Sequence, residues 1–213
     1  MQSLQLRRIA IWTLASLVLA LLVVAPTAQG QVNHALPRAP AAQATATPAA
    51  PTYAFPVQLT AAGKKKGKIS YGKYHHDYPA ADIFCPVGSR FVAPISGVVD
   101  FVAAEDTWNA KQNDPATRSG LAVAIIGDDG VRYYGSHLSA IAKGIESGAR
   151  VETGQLLGLT GKSGNARTTP PHLHFGISRP TSPDDWQVRR GELAPFVYLR
   201  AWQRGGQARP ELP

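Results

Sequence analysis

The sequence contains a single cysteine, Cys85, among 213 residues. One cysteine cannot form an internal disulfide, and it cannot supply the several thiolates that usually hold a structural zinc ion. Cys85 stands between apolar residues in the segment DIFCPVG, and no histidine motif surrounds it in the way a thiol protease would require. We therefore predict that Cys85 is a small core residue and not a nucleophile.

Acidic residues are also few. The chain has 14 Asp and Glu against 22 Lys and Arg, which leaves a net charge of +8. Such a basic surface is either simply solvated or attracted to an anionic wall polymer or membrane surface. Outside GKKKGK (63–68) the lysines do not cluster, so no nucleic-acid partner is expected.

A long apolar run stands at the N-terminus. Arg7 and Arg8 precede IAIWTLASLVLALLVVA (9–25), and Ala28 and Gly30 follow at the spacing that a signal peptidase recognises. This order predicts a signal peptide over residues 1–30. The alternative is an uncleaved anchor, which would be the only membrane contact, since about 20 apolar residues span a bilayer. Either way, we expect the rest of the chain to be secreted or associated with the cell envelope.

The remaining chain divides by composition. Residues 31–56 are mostly Ala, Pro and Thr. Such a stretch has too little apolar area to offset the entropy of ordering, so it is predicted to be a disordered spacer. Residues 57–202 are expected to form one domain of ordinary size. Residues 203–213 are predicted to be a disordered tail.

Within residues 57–202, short apolar segments alternate with glycine turns. The segment GLAVAIIGDDGVRYYGSHL (120–138) consists of two β-rich runs joined by GDDG, which is a hairpin signal. The segment ELAPFVYLRAW (192–202) favours a short helix. The predicted fold is therefore mainly β, an antiparallel sheet with long loops and a short C-terminal helix.

The segment TTPPHLHFG (168–176) places two histidines two residues apart. On a strand, residues i and i+2 point to the same face. His172 and His174 would therefore project into one groove, while Leu173 and Phe175 point into the core. Two polar residues on a solvated sheet face would give the same pattern, so the motif needs support from other positions.

That support comes from Asp82, which follows His75 and His76 and is flanked by apolar residues in a predicted strand. A partly buried carboxylate needs a partner, and a metal ion is a suitable one. Two imidazoles and one carboxylate give zinc three protein ligands and leave a fourth position open. This pattern is typical of a catalytic zinc site.

Four segments together resemble, in order, the motifs of the lysostaphin-type zinc metallopeptidases, secreted endopeptidases that cut peptidoglycan peptides. They are HHDYPAADIF (75–84), GSRFVAPISGVV (88–99), YYGSHL (133–138) and VETGQLLGLTGKSGNARTTPPHLHFGI (151–177). The resemblance covers residues 71–175 and continues more loosely to residue 202. It implies the lysostaphin-type fold, a duplicated hybrid motif, and a bound Zn²⁺ cofactor.

The resemblance also implies roles for individual residues. Carried over to this sequence, the zinc ligands are His76, Asp82 and His174. The non-ligand catalytic histidines are His137 and His172. No HExxH motif supplies a glutamate base, so one of these two would accept the proton of the attacking water while the other stabilises the oxyanion. The two roles are interchangeable on sequence grounds.

One spacing departs from the family pattern. The common motif is HxxxD with a glycine inside, whereas His76 and Asp82 are six residues apart here and enclose DYPAA. His75 is seven residues from Asp82 and is the alternative ligand. We favour His76, because the nearer residue needs less loop to reach the metal.

The predicted function is that of a secreted zinc-dependent endopeptidase that hydrolyses stem or cross-bridge peptides of peptidoglycan in wall remodelling or lysis. One alternative is a biotinyl or lipoyl carrier, suggested by GARVETGQLLGLTG (148–161), but Met1 is the only methionine and the histidines would have no role. The other alternative is a non-catalytic module that binds peptidoglycan or activates another hydrolase. Such relatives usually lose ligand residues, whereas here all five positions can be filled.

Overall fold

The computed structural model of the protein describes residues 52–213, so the predicted signal peptide and residues 31–51 of the predicted spacer lie outside the described residues. The strands are β1 (Val57–Gln58), β2 (Ala81–Phe84), β3 (Arg90–Val92), β4 (Gly97–Ala103), β5 (Leu121–Gly127), β6 (Arg132–Ile141), β7 (Arg150–Val151), β8 (Leu156–Thr160) and β9 (His172–Ser178). The helices are α1 (Ala61–Lys66), α2 (Trp186–Arg189) and α3 (Phe196–Gln203), and 3₁₀ turns span Pro115–Thr117 and Gly164–Thr168. Between residues 52 and 213, no helix has the length and apolarity needed to cross a membrane.

The strands form one sheet in which every pairing is antiparallel. Strand β6 is the centre of the arrangement, because it pairs with β5, β8 and β9. Its first half pairs with β9 and its second half with β8. Strand β9 then pairs with β2 on its other side. The β-rich fold with a short C-terminal helix that the sequence predicts is confirmed.

The two faces of strand β9 are used differently. Leu173, Phe175 and Ile177 point into the main hydrophobic core and are 0% exposed. Burial of each such side chain contributes about 1.5–3 kcal/mol to the free energy of folding. Cys85 is buried in the same core, as predicted. The alternate residues of β9 therefore face the opposite side of the sheet, where the candidate site lies.

Strand β6 contains a bulge at His137. The register with β5 changes between the pairs Val123–Gly135 and Leu121–Leu138, so two residues of β6 oppose one residue of β5. His137 has a φ of 63°, which a non-glycine residue rarely adopts. Bulges re-aim side chains near functional sites. Here the bulge directs the His137 ring to the face of the sheet that carries the alternate residues of β9.

The segment that follows α3 packs against the domain. The Trp202 indole N–H donates to the carbonyl of Ala208 at 2.8 Å, and the Trp202 ring stacks on Tyr53 at 5.3 Å between centroids. The Gln207 side chain hydrogen-bonds the backbone of Tyr53. These contacts extend beyond residues 57–202, because Tyr53 belongs to the predicted spacer and Gln207 and Ala208 belong to the predicted tail. The buried indole N–H of Trp202 needs an acceptor, and the Ala208 carbonyl supplies it. Tyr53, which precedes residues 57–202, covers the ring.

Helix α1 is short and basic. The Thr60 hydroxyl accepts from the Gly63 N–H at 3.0 Å and caps its N-terminus. Its last turn carries Lys64, Lys65 and Lys66, all exposed. Cations at a helix C-terminus interact favourably with the helix dipole. The arrangement keeps three positive charges together at the surface.

Candidate metal centre

The candidate site is a groove of about 380 Å³ on one face of the sheet. It is lined by five histidines and Asp82, together with aromatic and basic residues that include Tyr78, Tyr134, Trp186 and Arg190. All five residues predicted to act in metal binding or catalysis lie in this groove: His76, Asp82, His137, His172 and His174. Their clustering follows from the pairing of strands that are distant in sequence.

Strands β2 and β9 bring the predicted ligands together. Asp82 lies directly opposite His174, and Phe84 lies opposite His172. The Nδ1 atom of His174 is 3.1 Å from Oδ1 of Asp82. The Asp82 side chain is 18% exposed, so the carboxylate is held at the base of the groove and not at an open surface.

The other nitrogen of His174 is fixed by the backbone. Nε2 lies 2.9 Å from the carbonyl oxygen of Arg190, which can only accept a hydrogen bond, so Nε2 carries the proton. Gly176 permits this approach, because a Cβ atom there would lie 2.4 Å from the Arg190 oxygen. A metal-binding histidine commonly donates its other ring N–H to a backbone carbonyl in this way, which leaves Nδ1 for the metal.

Two adjacent imidazoles, His75 and His76, lie close enough to Asp82 to fill the first ligand position. Nε2 of His75 is 3.5 Å from Oδ1 of Asp82, and Nε2 of His76 is 3.8 Å from Oδ2. The His75 side chain is 6% exposed, whereas that of His76 is 81% exposed. The His75 ring also lies 5.0 Å from the His174 ring. The structure thus brings both rings to Asp82, and burial favours His75 over the predicted His76.

The geometry suits a cation. Nδ1 of His174 and Oδ1 of Asp82 face each other at 3.1 Å, and two such atoms repel unless a proton or a cation lies between them. Ligand atoms bound tetrahedrally to zinc at 2.0–2.1 Å are about 3.3 Å apart. The buried Nδ1 of His75 has no hydrogen-bond partner among residues 52–213. Imidazole and carboxylate groups in this arrangement fit zinc.

Asp82 is ionised in this setting. Burial alone would raise the pKa of its carboxyl, but hydrogen bonds from His174 and His75 outweigh burial and hold the pKa well below its usual range. A carboxylate that keeps its negative charge inside a ring of imidazoles makes the groove electrostatically receptive to a cation.

The remaining two histidines present the opposite nitrogen to the groove. Nδ1 of His172 lies 2.8 Å from the carbonyl of Pro170, and Nδ1 of His137 lies 3.0 Å from the carbonyl of Ser163. Both therefore carry a proton on Nδ1 and expose the lone pair of Nε2. For His172, this atom is 3.8 Å from Oδ1 of Asp82. The rings of His137 and His172 are 4.9 Å apart, so the two Nε2 lone pairs lie in the same part of the groove.

His137 is uncharged in the structure. Burial first, and then the neighbouring rings of His174 and His172, lower the pKa of His137 to about 3. A neutral imidazole with a free Nε2 accepts a proton or a hydrogen bond, and it adds no positive charge to repel a metal ion.

Some residues of the groove carry no signal in the sequence. Tyr78 lies inside the DYPAA insertion, with its hydroxyl 3.5 Å from Nε2 of His174 and its ring under the Arg190 guanidinium at 3.8 Å. Burial raises the pKa of Tyr78 to about 12. Trp186 lines the groove, whereas Trp108 stacks on Arg167 at 5.5 Å. A single aromatic residue gives no periodic pattern, so these contacts depend on the folded structure.

Comparison with known proteins identifies related sequences. The model of peptidase family M23 matches residues 76–186, or 111 of the 213 residues. The L-Ala–D-Glu endopeptidase of Bacillus subtilis strain 168 is 31% identical over 132 residues, which cover 60% of this chain and 36% of that protein. The chain thus spans little more than a third of the length of this curated relative. The family match confirms the resemblance that the motifs indicate.

Solved structures resemble the fold. LytM from Ruminococcus gnavus superposes with a TM-score of 0.54 at 23% identity, covering 74% of this chain and 62% of that chain. The catalytic domain of lysostaphin from Staphylococcus simulans gives a TM-score of 0.47 at 22% identity, covering 67% of this chain and 99% of that domain. The first of these likenesses shows a shared fold.

Proposed function

Because the chain belongs to peptidase family M23, we propose that it is a zinc-dependent endopeptidase that hydrolyses stem or cross-bridge peptides of peptidoglycan outside the cytoplasm. One observation carries the proposal: the Nδ1 atom of His174 lies 3.1 Å from Asp82, and two imidazoles that each expose Nε2 lie beside this pair.

The zinc ligands would be Asp82, His174 and one imidazole of the His75–His76 pair. When bound, zinc would act as a Lewis acid that polarises the peptide carbonyl and lowers the pKa of water, so that hydroxide is available at neutral pH. The carbonyl of Arg190 holds the proton of His174 on Nε2 and keeps Nδ1 available as a ligand.

His172 and His137 would move protons. Each donates Nδ1–H to a backbone carbonyl, so Nε2 is the atom that takes the proton from attacking water and returns it to the leaving amine. The imidazolium formed in this step then donates a hydrogen bond to the oxyanion of the tetrahedral intermediate. The two rings are 4.9 Å apart, so either one can take this proton and no glutamate is needed.

The net charge of the chain and its similarity to a known endopeptidase support this substrate class. The relative from Bacillus subtilis is an L-Ala–D-Glu endopeptidase, and bonds of this kind occur in peptidoglycan stem peptides. The net charge of +8 and the exposed lysines of α1 favour contact with an anionic wall polymer. The apolar run at 9–25 supports export or anchoring of the chain, which would place the enzyme beside this polymer.

Digestion of defined muropeptides by the full chain, followed by mass spectrometry, tests the proposal. We expect new amino termini, no new reducing sugar ends, loss of activity with a strong chelator, and recovery when zinc is restored. New reducing ends without new amino termini would instead indicate a glycan-cleaving enzyme. Binding to walls of several types without cleavage would favour the non-catalytic module.

A further inference from the structure

One peptide group beside the groove is hydrogen-bonded at both ends. The carbonyl oxygen of Ser163 accepts from Nδ1–H of His137 at 3.0 Å, and the N–H of Gly164 donates to Oδ2 of Asp106 at 3.0 Å. In a trans peptide these two groups point in opposite directions. Asp106, the Ser163–Gly164 peptide and His137 therefore form a continuous chain that runs from a loop carboxylate to an imidazole in the groove.

The surrounding backbone prevents this peptide from rotating. The hydroxyl of Ser163 accepts from the Leu121 N–H at 3.0 Å, and the N–H of Asn165 donates to the Arg118 carbonyl at 3.0 Å. Gly164 has a φ of 65°, and a Cβ atom there would lie 2.1 Å from the Arg118 oxygen. A side chain at this position would separate the two segments, so glycine is required for the close contact.

Asp106 is suited to act as the outer end of the chain. Burial alone would raise the pKa of its carboxyl, but hydrogen bonds from Arg167 and from the N–H groups of Gly164 and Trp108 lower the pKa overall. The Arg167 guanidinium lies 2.7 Å from the same Oδ2 atom. An N–H that donates to a carboxylate polarises its own peptide, which makes the carbonyl at the other end a better acceptor.

We propose that Asp106 is a positioning residue for His137: through the Ser163–Gly164 peptide, it holds the proton of His137 on Nδ1 and keeps Nε2 directed into the groove. Its effect on catalysis rests on the proposed function, whereas its effect on the His137 tautomer does not. The carboxylate does not touch the reacting groups and acts through the peptide.

The tautomer of His137 is the direct test. Long-range ¹H–¹⁵N correlation spectra of the histidine rings, recorded on the full chain, distinguish the Nδ1–H tautomer from the Nε2–H tautomer. The signal of His137 is assigned by its absence in a His137→Gln variant. We expect a single Nδ1–H tautomer in the parent protein and a mixture in Asp106→Ala. Asp106→Asn should retain the parent tautomer, because the amide oxygen still accepts from Gly164.

Arg167→Gln is the matched control, since it removes the ion pair and leaves the Asp106–Gly164 hydrogen bond in place. We expect this variant to keep the parent tautomer. A mixture in Arg167→Gln as large as in Asp106→Ala would show that the ion pair holds the peptide, and it would overturn the proposal. An unchanged tautomer in a folded Asp106→Ala protein would overturn it as well.

Kinetics supply the second measurement. Asp106→Ala should lower kcat about 10-fold or more, the usual effect of removing a group that orients a functional imidazole, with KM and metal content unchanged. Asp106→Asn should recover most of this loss. A loss confined to KM would contradict the proposal. If the parent protein cleaves no muropeptide, the proposed function fails, and the tautomer measurement alone decides the role of Asp106.

Discussion

Asp82 and His174 are 92 residues apart in the chain and 3.1 Å apart in the structure, because β2 and β9 pair with these two residues directly opposite each other. The position of this proposed ligand pair is therefore determined by strand register. A slip of β2 by one residue would turn Asp82 into the core, away from His174. The distance between the two side chains consequently depends on the hydrogen-bonded pairing of β2 with β9.

The first prediction concerns metal content. Purified protein should hold about one zinc per chain by elemental analysis, because Asp82 and His174 present a carboxylate oxygen and a ring nitrogen to one point. Asp82→Ala and His174→Ala should each lose the metal. Asp128→Ala, which removes an exposed carboxylate paired with Arg150, is the control and should keep it. Protein without zinc, and without uptake when zinc is added, would contradict the prediction.

The second prediction separates the adjacent histidines. The sequence spacing favours His76 as the first ligand, but the burial of His75 beside the His174 ring leads us to expect that His75→Ala loses zinc and His76→Ala keeps most of it. Each variant serves as the control for the other, since both remove one imidazole from the same loop. Zinc loss only in His76→Ala would restore the sequence-based assignment.

The third prediction separates ligand from catalyst within one strand. His172→Ala should keep its zinc but lose roughly 10²- to 10⁴-fold in turnover, the contribution typical of a general acid or base. His137→Ala should behave in the same way. The measurement pairs metal analysis with kcat on a defined muropeptide. Near-normal turnover in His172→Ala would remove that residue from the mechanism.

The fourth prediction concerns the C-terminal segment. Deletion of residues 204–213 removes the acceptor of the buried Trp202 indole and the hydrogen bonds of Gln207 to Tyr53. Leaving one buried donor unsatisfied costs about 1–3 kcal/mol, so thermal unfolding should shift to lower temperature by several degrees. A chain that ends after residue 210 keeps these contacts and is the control. Equal unfolding temperatures for both truncated chains would contradict this role of the segment.

The fifth prediction concerns the basic surface. Replacing Lys64, Lys65 and Lys66 with glutamine should weaken binding to isolated walls and flatten its dependence on ionic strength, because salt screens exposed charges. Cleavage of a short soluble muropeptide should not change. If wall binding by the parent protein does not fall as salt rises, its attachment does not depend on these charges.

The sequence predicts the parts of the site that lie on regular strands. The alternation of His172, Leu173 and His174 is enough to place two imidazoles on one face, and the structure places them there. It does not predict which of His75 and His76 is buried, because an irregular loop has no period from which side-chain direction follows. Nor does it predict the role of Asp106, which contacts His137 only through the Ser163–Gly164 peptide group. A backbone peptide is present between any two residues, so it leaves no motif in the sequence.

The contacts of Gln207 and Ala208 have no signal in the sequence for a different reason. The segment has few apolar residues, and composition alone suggests disorder. Its position depends on the buried indole N–H of Trp202, which Ala208 accepts, and on the stacking of Trp202 on Tyr53. Neither contact can be read from composition.

The Arg190 carbonyl that orients His174 has a consequence for the order in which the protein matures. A chain synthesised only through β6 contains Asp82 and His137 but lacks β9, and a chain that ends just after β9 still lacks the acceptor at residue 190. Since these contacts are non-local, they form late, after the intervening chain is available. A partly synthesised chain therefore lacks the complete, oriented set of proposed ligands, and the candidate site is completed only when residues 172–190 are in place.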